Sequence, residues 1–232
     1  MARRIRNKKQ SEDTLIDIVE VKESAGSFID DNQNTIIGVA AALIIVFGGW
    51  MAYKKFIKEP KQMEAVEQMY KAQEQFERDS FALALTNPGG GYSGLLDIID
   101  NYSGTEAANV ALYYAGISYL NLGKFDAAID YLKDYSPAGE VTPVMKYGAM
   151  GDAHSELQDM DQAKSFYKKA VGASNNDLLS VYYLKKLGML HESQGEYADA
   201  LTAYERVKKE FPTVVLSGDI EKYIIRATAK KG

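Results

Sequence analysis

The sequence predicts an all-α protein, with a single N-terminal transmembrane helix followed by a solenoid of helix–turn–helix repeats. Two observations carry this. Residues 36–53 (IIGVAAALIIVFGGWMAY) contain no charge, and the uncharged stretch runs from Asn32 to Tyr53. Beyond Pro60, glycine, alanine and large side chains recur at fixed offsets with a period of 35–37 residues. A period in that range marks repeat architecture, in which each unit buries its apolar face only against its neighbours.

The expected organisation is a tail over 1–34, a transmembrane helix over 35–54 and a repeat domain over 55–232. At about 1.5 Å per residue, the apolar run approaches the roughly 30 Å of a bilayer core. Trp50 and Tyr53 stand at its C-terminal end, where amphipathic rings favour the headgroup region, and Lys54, Lys55 and Lys58 follow. The run begins too late and is too long for a cleaved signal peptide, so a retained anchor is expected. Orientation is not set by the flanking charges. The far N-terminus is basic (Arg3, Arg4, Arg6, Lys8, Lys9), yet Lys54, Lys55, Lys58 and Lys61 crowd the other side. The tail over 12–30 mixes Leu15, Ile18, Val19 and Val21 with acids, which suits either a flexible acidic segment or a short partner-docking helix.

The repeats follow in order. Gly116, Gly151 and Gly188 are each followed, twelve residues on, by Ala128, Ala163 and Ala200, and four residues later by Leu132, Tyr167 and Tyr204. Three residues after each glycine lies a ring: Tyr119, His154 and His191. Glycine and alanine let two antiparallel helices approach closely while the larger groups fill the space around them. Leu122-Gly123-Lys124, Gln158-Asp159 and Gln194-Gly195-Glu196 read as the turns between paired helices, and Pro212 closes the last repeat. This arrangement resembles the tetratricopeptide pattern, with repeats over about 109–142, 144–177 and 181–214. A degenerate first repeat over about 61–104 is expected from a long helix at 61–85 and a short one at 95–102. A capping helix over 217–229, with Ser217 as its N-cap, should cover the far end.

Composition limits the chemistry. The chain has no cysteine, which excludes disulfides, thiolate nucleophiles and cysteine-bound metals. Its net charge of −5 over 232 residues lacks the basic excess that nucleic-acid binding needs. His154 and His191 share a repeat position with Tyr119 and read as packing rings; no metal ligand set is expected. The loop Asn87–Gly94 is glycine-rich but lacks the lysine and hydroxyl of a phosphate loop, and is expected to join the first two helices. No nucleophile has a recognisable partner, so neither an enzyme nor a cofactor is expected.

Recognition of another polypeptide remains. In a tetratricopeptide stack the first helix of each repeat lines a groove. By repeat position the groove residues are Tyr113, Ile117, Asn121, Met145, Asp152, Tyr182, Lys185 and Met189, with Val110, Glu156 and Glu192 beside them. Only Lys185 and Asn121 fit the clamp that grips an acidic C-terminal peptide, which disfavours that ligand. In the anchor, Ile36, Gly38, Gly48, Gly49, Trp50 and Tyr53 are the residues expected to meet lipid or a neighbouring helix.

The run from Phe28 to Phe56 (FIDDNQNTIIGVAAALIIVFGGWMAYKKF), with the long helix and repeats after it, resembles YfgM-type ancillary subunits of the bacterial SecYEG translocon. The glycine loop at 87–94 is closer to the Bacteroidetes versions. The resemblance implies a single-pass inner-membrane protein with a cytoplasmic N-terminus and periplasmic repeats. It also implies contact with SecYEG, with a PpiD-type periplasmic chaperone and with emerging polypeptides. A scaffold for another envelope complex, or cytosolic repeats like those of anchored organelle-import receptors, would use the same parts.

Overall fold

In a computed structural model, residues 31–231 are described; residues 1–30 of the predicted tail, including the amphipathic stretch at 12–30, lie outside them. The described residues form helices joined by turns and loops, without strands, and divide into two units between Glu59 and Pro60.

The first unit is helix α1 (Gln33–Tyr53) followed by a π-helical turn at Lys54–Lys58. Its 21 residues rise about 31 Å, enough to cross a bilayer core of roughly 30 Å. None of them is buried within the protein, so α1 is not a core helix. Trp50 lies 5.8 Å from Phe47 and carries Lys54 over its ring at 5.7 Å. The space around Gly38, Gly48 and Gly49 is open, and Ile36, Trp50 and Tyr53 are exposed.

The second unit is the solenoid. Its first helix, α2 (Glu59–Glu77), ends earlier than the sequence pattern suggests. Asp79 turns left-handed at φ 57°, and the N–H of Ser80 closes back on the Gln75 carbonyl at 2.9 Å. Without a glycine or proline there, nothing in the sequence announces the stop. The chain resumes as α3 (Phe81–Thr86), passes the glycine loop and continues as α4 (Leu95–Asn101). The glycine loop therefore interrupts the second arm of the first repeat instead of joining its two arms. Gly94 permits this: a Cβ there would lie 2.4 Å from the Leu85 carbonyl oxygen. Side-chain amides of α2 hold the neighbouring backbone, with Gln75 donating to Pro88 O at 3.1 Å and Gln62 accepting from the Ala107 N–H at 3.0 Å. Ala65, Met69 and Ala72 of α2 pack with Leu85, Leu95 and Ile98 in the first core cluster.

Three regular repeats follow: α5 (Glu106–Asn121) with α6 (Phe125–Asp134), α7 (Thr142–Glu156) with α8 (Met160–Ala173), and α9 (Asp177–Ser193) with α10 (Tyr197–Glu210). Thr105, Asp159 and Asn176 cap α5, α8 and α9 by accepting from the backbone N–H three residues on. Each A–B turn is a Schellman motif. The N–H groups of Lys124, Asp159 and Glu196 return to the carbonyls of Tyr119, His154 and His191, each at 2.9 Å. Gly123 and Gly195 supply the left-handed residue in two turns, and Gln158 takes the same conformation at φ 61° in the third.

The repeat offsets in the sequence are the packing contacts of the seam. A Cβ at Gly116 would meet the Leu132 side chain at 2.6 Å, at Gly151 the Tyr167 ring at 2.6 Å, and at Gly188 the Tyr204 ring at 2.3 Å. Ala128, Ala163 and Ala200 beside them are fully buried.

A short 3₁₀ turn (Val215–Ser217) leads to α11 (Ile220–Lys231), which covers the last repeat through Ile220, Ile224 and Ala227. Ser217 does not cap this helix; its hydroxyl donates to the Phe211 carbonyl at 2.7 Å.

Candidate functional site

The first helices of the three regular repeats, α5, α7 and α9, bring their exposed faces together around an apolar groove of about 330 Å³. Tyr113, Ile117 and Leu120 come from α5, Met145, Ala149 and Asp152 from α7, and Leu178, Leu179, Tyr182 and Tyr183 from α9. Leu216, in the turn before α11, closes one end. Five of the residues expected from repeat position share this lining: Tyr113, Ile117, Met145, Asp152 and Tyr182.

The floor depends on one close approach that the repeat pattern did not mark. At Gly148 an added Cβ would fall 1.9 Å from the Tyr183 hydroxyl oxygen. The missing side chain on α7 admits the Tyr183 ring from α9, and the ring packs edge-on to Tyr182 at 4.9 Å. Burial raises the Tyr183 and Tyr113 hydroxyls above the ordinary phenol value, so both stay neutral at physiological pH.

At the polar end, Asp152 accepts from the Tyr167 hydroxyl and from the Lys186 ammonium, each at 2.6 Å. Burial alone would lower the Lys186 pKa; the Asp152 charge and hydrogen bond more than offset it, and the net shift is upward. Lys186 also lies over the Tyr182 and Tyr167 rings at 5.2 and 5.8 Å. This pair locks α7 against α9. Beyond it, Asp152 and Leu120 also line a second chamber of about 510 Å³, together with Asn121, Phe125, Ser155, Glu156 and Lys186.

Other expected groove residues have different roles. Asn121 lies in that second chamber and donates to its own helix, at the Ile117 carbonyl, at 2.9 Å. Lys185 pairs with Asp219 at 2.5 Å and donates to the Leu216 carbonyl, tying α9 to the segment before α11. Met189 is part-exposed outside the groove lining, as is Val110. Glu192 is buried beneath α11, where Arg226 grips it with two bonds at 2.7 and 2.6 Å and the Tyr204 hydroxyl adds a third at 3.2 Å. The reason is the fold-back of α11, which reaches a residue 34 positions earlier and cannot be inferred from repeat register.

The histidines sit at the turns. His154 stacks on Phe166 at 5.2 Å and faces Asp159 at 3.3 Å, and His191 contacts Glu196 at 2.5 Å. His191, Glu196 and Asp199 bring three ligand-type atoms within 4.8 Å of one another. The Lys164 ammonium, however, already sits on Glu196 at 2.8 and 3.1 Å, supplying the positive charge that a cation would bring. Recurrence of the same ring–acid pairing at His154–Asp159 makes it a clasp on the A–B turn. Neither histidine faces the groove lining.

Sequence profiles described as "Tetratricopeptide repeat" match residues 110–135, 147–177 and 185–213, one in each regular helix pair. The chain carries tetratricopeptide repeats. Among solved structures, a crystal structure of MamA protein aligns over 72% of this chain and 91% of its own, with a TM-score of 0.53 at 18% identity. A second MamA structure aligns over 53% of this chain and 78% of its own, with a TM-score of 0.40 at 22% identity. The first likeness shows the tetratricopeptide fold. No curated protein sequence matches the chain.

Tetratricopeptide repeats hold protein partners, and in this chain the A-helix face offers an open, largely apolar groove for one. The chain thus has the parts of a protein–protein interaction adaptor, with an N-terminal helix long and apolar enough to cross a bilayer.

Proposed function

We propose that the protein is a non-enzymatic, membrane-anchored adaptor that holds a polypeptide segment in the groove between α5, α7 and α9. The observation that carries this is the groove lining: tyrosines, leucines and methionine from three successive A helices, in the helix-groove mode of peptide recognition. The α1 anchor confines the groove to the bilayer plane and raises its effective concentration near other membrane components.

The resemblance of residues 28–56 and of the domain order supports a finer reading. In it, the protein is an accessory subunit of the Sec translocon that contacts SecYEG, a PpiD-type chaperone and emerging polypeptides. The N-terminus then faces the cytoplasm and the repeats the periplasm. Purification of the full chain in mild detergent should co-isolate translocon subunits and the chaperone. Recovery with a different envelope complex and no translocon subunit would replace this reading with that of a scaffold. Topology has a simple test because the chain lacks cysteine and Ser136 is exposed. A Ser136→Cys variant should react with an impermeant thiol reagent once only the outer barrier is opened. Reaction only after the inner membrane is permeabilised would place the repeats in the cytosol.

A further inference from the structure

The groove has two chambers of different chemistry, and their arrangement points to the class of segment it takes. In the first, Asp152 is the only charged side chain among the lining residues; the rest are apolar or tyrosine. In the second, the charged lining residues are Asp152, Glu156 and Lys186. Lys186 is committed to Asp152 at 2.6 Å, so these two charges cancel. Glu156, one turn after Asp152 on the same face of α7, is exposed and makes no side-chain ion pair or hydrogen bond among the described residues. The polar chamber therefore has a surplus carboxylate beside Ser155 and the Phe125 ring, directly adjoining the apolar chamber through Leu120 and Asp152.

We propose that the groove selects segments in which an apolar or aromatic residue is closely flanked by a lysine or arginine. This rests on the reading of the groove as a polypeptide site. The apolar residue fills the chamber of Tyr113, Ile117, Met145 and Tyr182, while the basic side chain reaches Glu156. An acidic segment meets an unpaired like charge at that place. Glu156 thus sets specificity, while the apolar chamber supplies most of the affinity.

The test is fluorescence anisotropy on the full chain in lipid nanodiscs. The probes are labelled decapeptides with one shared apolar core, flanked by lysine, glutamine or glutamate. The lysine peptide should bind about fivefold tighter than the glutamine peptide, the scale of a solvent-exposed ion pair, and the glutamate peptide more weakly than both. Glu156→Gln should bring the lysine peptide to the affinity of the glutamine one, and Glu156→Lys should invert the order. Glu156 is exposed, so these variants keep the fold. Equal affinities for all three peptides, each weakened by Leu178→Asp, would overturn the charge selectivity and leave the groove reading intact. Failure of every peptide to bind would overturn both.

Discussion

The seam inside each repeat and the groove between repeats are built from the same helices by different rules. In the seam, an A-helix glycine receives a large side chain from the B helix: Leu132 on Gly116, Tyr167 on Gly151 and Tyr204 on Gly188. The contact recurs because every repeat must solve the same close-packing problem. In the groove, the three A helices share no residue type at equivalent positions: Val110, Met145 and Tyr182 at one, and Ile117, Asp152 and Met189 at another. The seam repeats one geometry along the solenoid, and the groove is where the repeats differ from one another.

That contrast can be broken most forcefully at the glycines. Gly188→Ala places a Cβ 2.3 Å from the fully buried Tyr204 ring, and Gly148→Ala places one 1.9 Å from the Tyr183 hydroxyl. Each should lower stability by about 2 kcal/mol, overpacking outweighing the gain in helix propensity. Thermal unfolding followed by circular dichroism measures this. The two should differ in binding: Gly148→Ala pushes Tyr183 toward the groove, whereas Gly188→Ala leaves the lining alone.

The C-terminal cap ranks next. Removing the buried carboxylate in Glu192→Ala should cost about 2 kcal/mol, below the usual loss for a buried pair because Arg226 is half-exposed. Hydrogen exchange should show the loss concentrated in α11. Arg226 holds the Glu192 carboxyl below its ordinary value of 4.5, as Lys164 does for Glu196 and Lys185 for Asp219. A lowered folded-state value means that each contribution is complete above the unfolded value. It is lost as pH falls through the folded one. The α11 amides should accordingly lose protection below about pH 4.5, and Glu192→Gln should remove much of that dependence.

Two smaller effects sharpen the seam. Gln158→Gly relieves a left-handed residue in the one A–B turn of the regular repeats that lacks glycine. It should raise stability by about 1 kcal/mol. Gly172→Ala, in open space on α8, should add about 0.5 kcal/mol. A loss at Gly172 as large as at Gly188 would show that seam contact is not what distinguishes these glycines.

What the sequence disclosed follows the same division. The helix pairs, their turns and the glycine–ring contacts were legible because three copies stood in phase, and Gln158 could be placed as a turn residue from its neighbours in register. Five groove residues were reachable by the same register, since helix A keeps one face outward. Three things were not. The stop of α2 at Asp79 uses a non-glycine residue in a left-handed conformation. The Gly148–Tyr183 contact joins consecutive repeats and has no counterpart elsewhere in the period. The burial of Glu192 and the use of Lys185 depend on the return of α11, which follows the repeats and obeys none of their spacing.

The most direct measurement is site-specific photo-crosslinking in intact cells, with the reactive residue placed at Tyr182 in the groove or at Glu205 on the exposed face of α10. Polypeptides identified by mass spectrometry should crosslink from position 182, diminish when Leu178 is changed to Asp, and be missing from position 205. Equal crosslinking from both positions, unaffected by Leu178→Asp, would contradict a groove that holds a polypeptide.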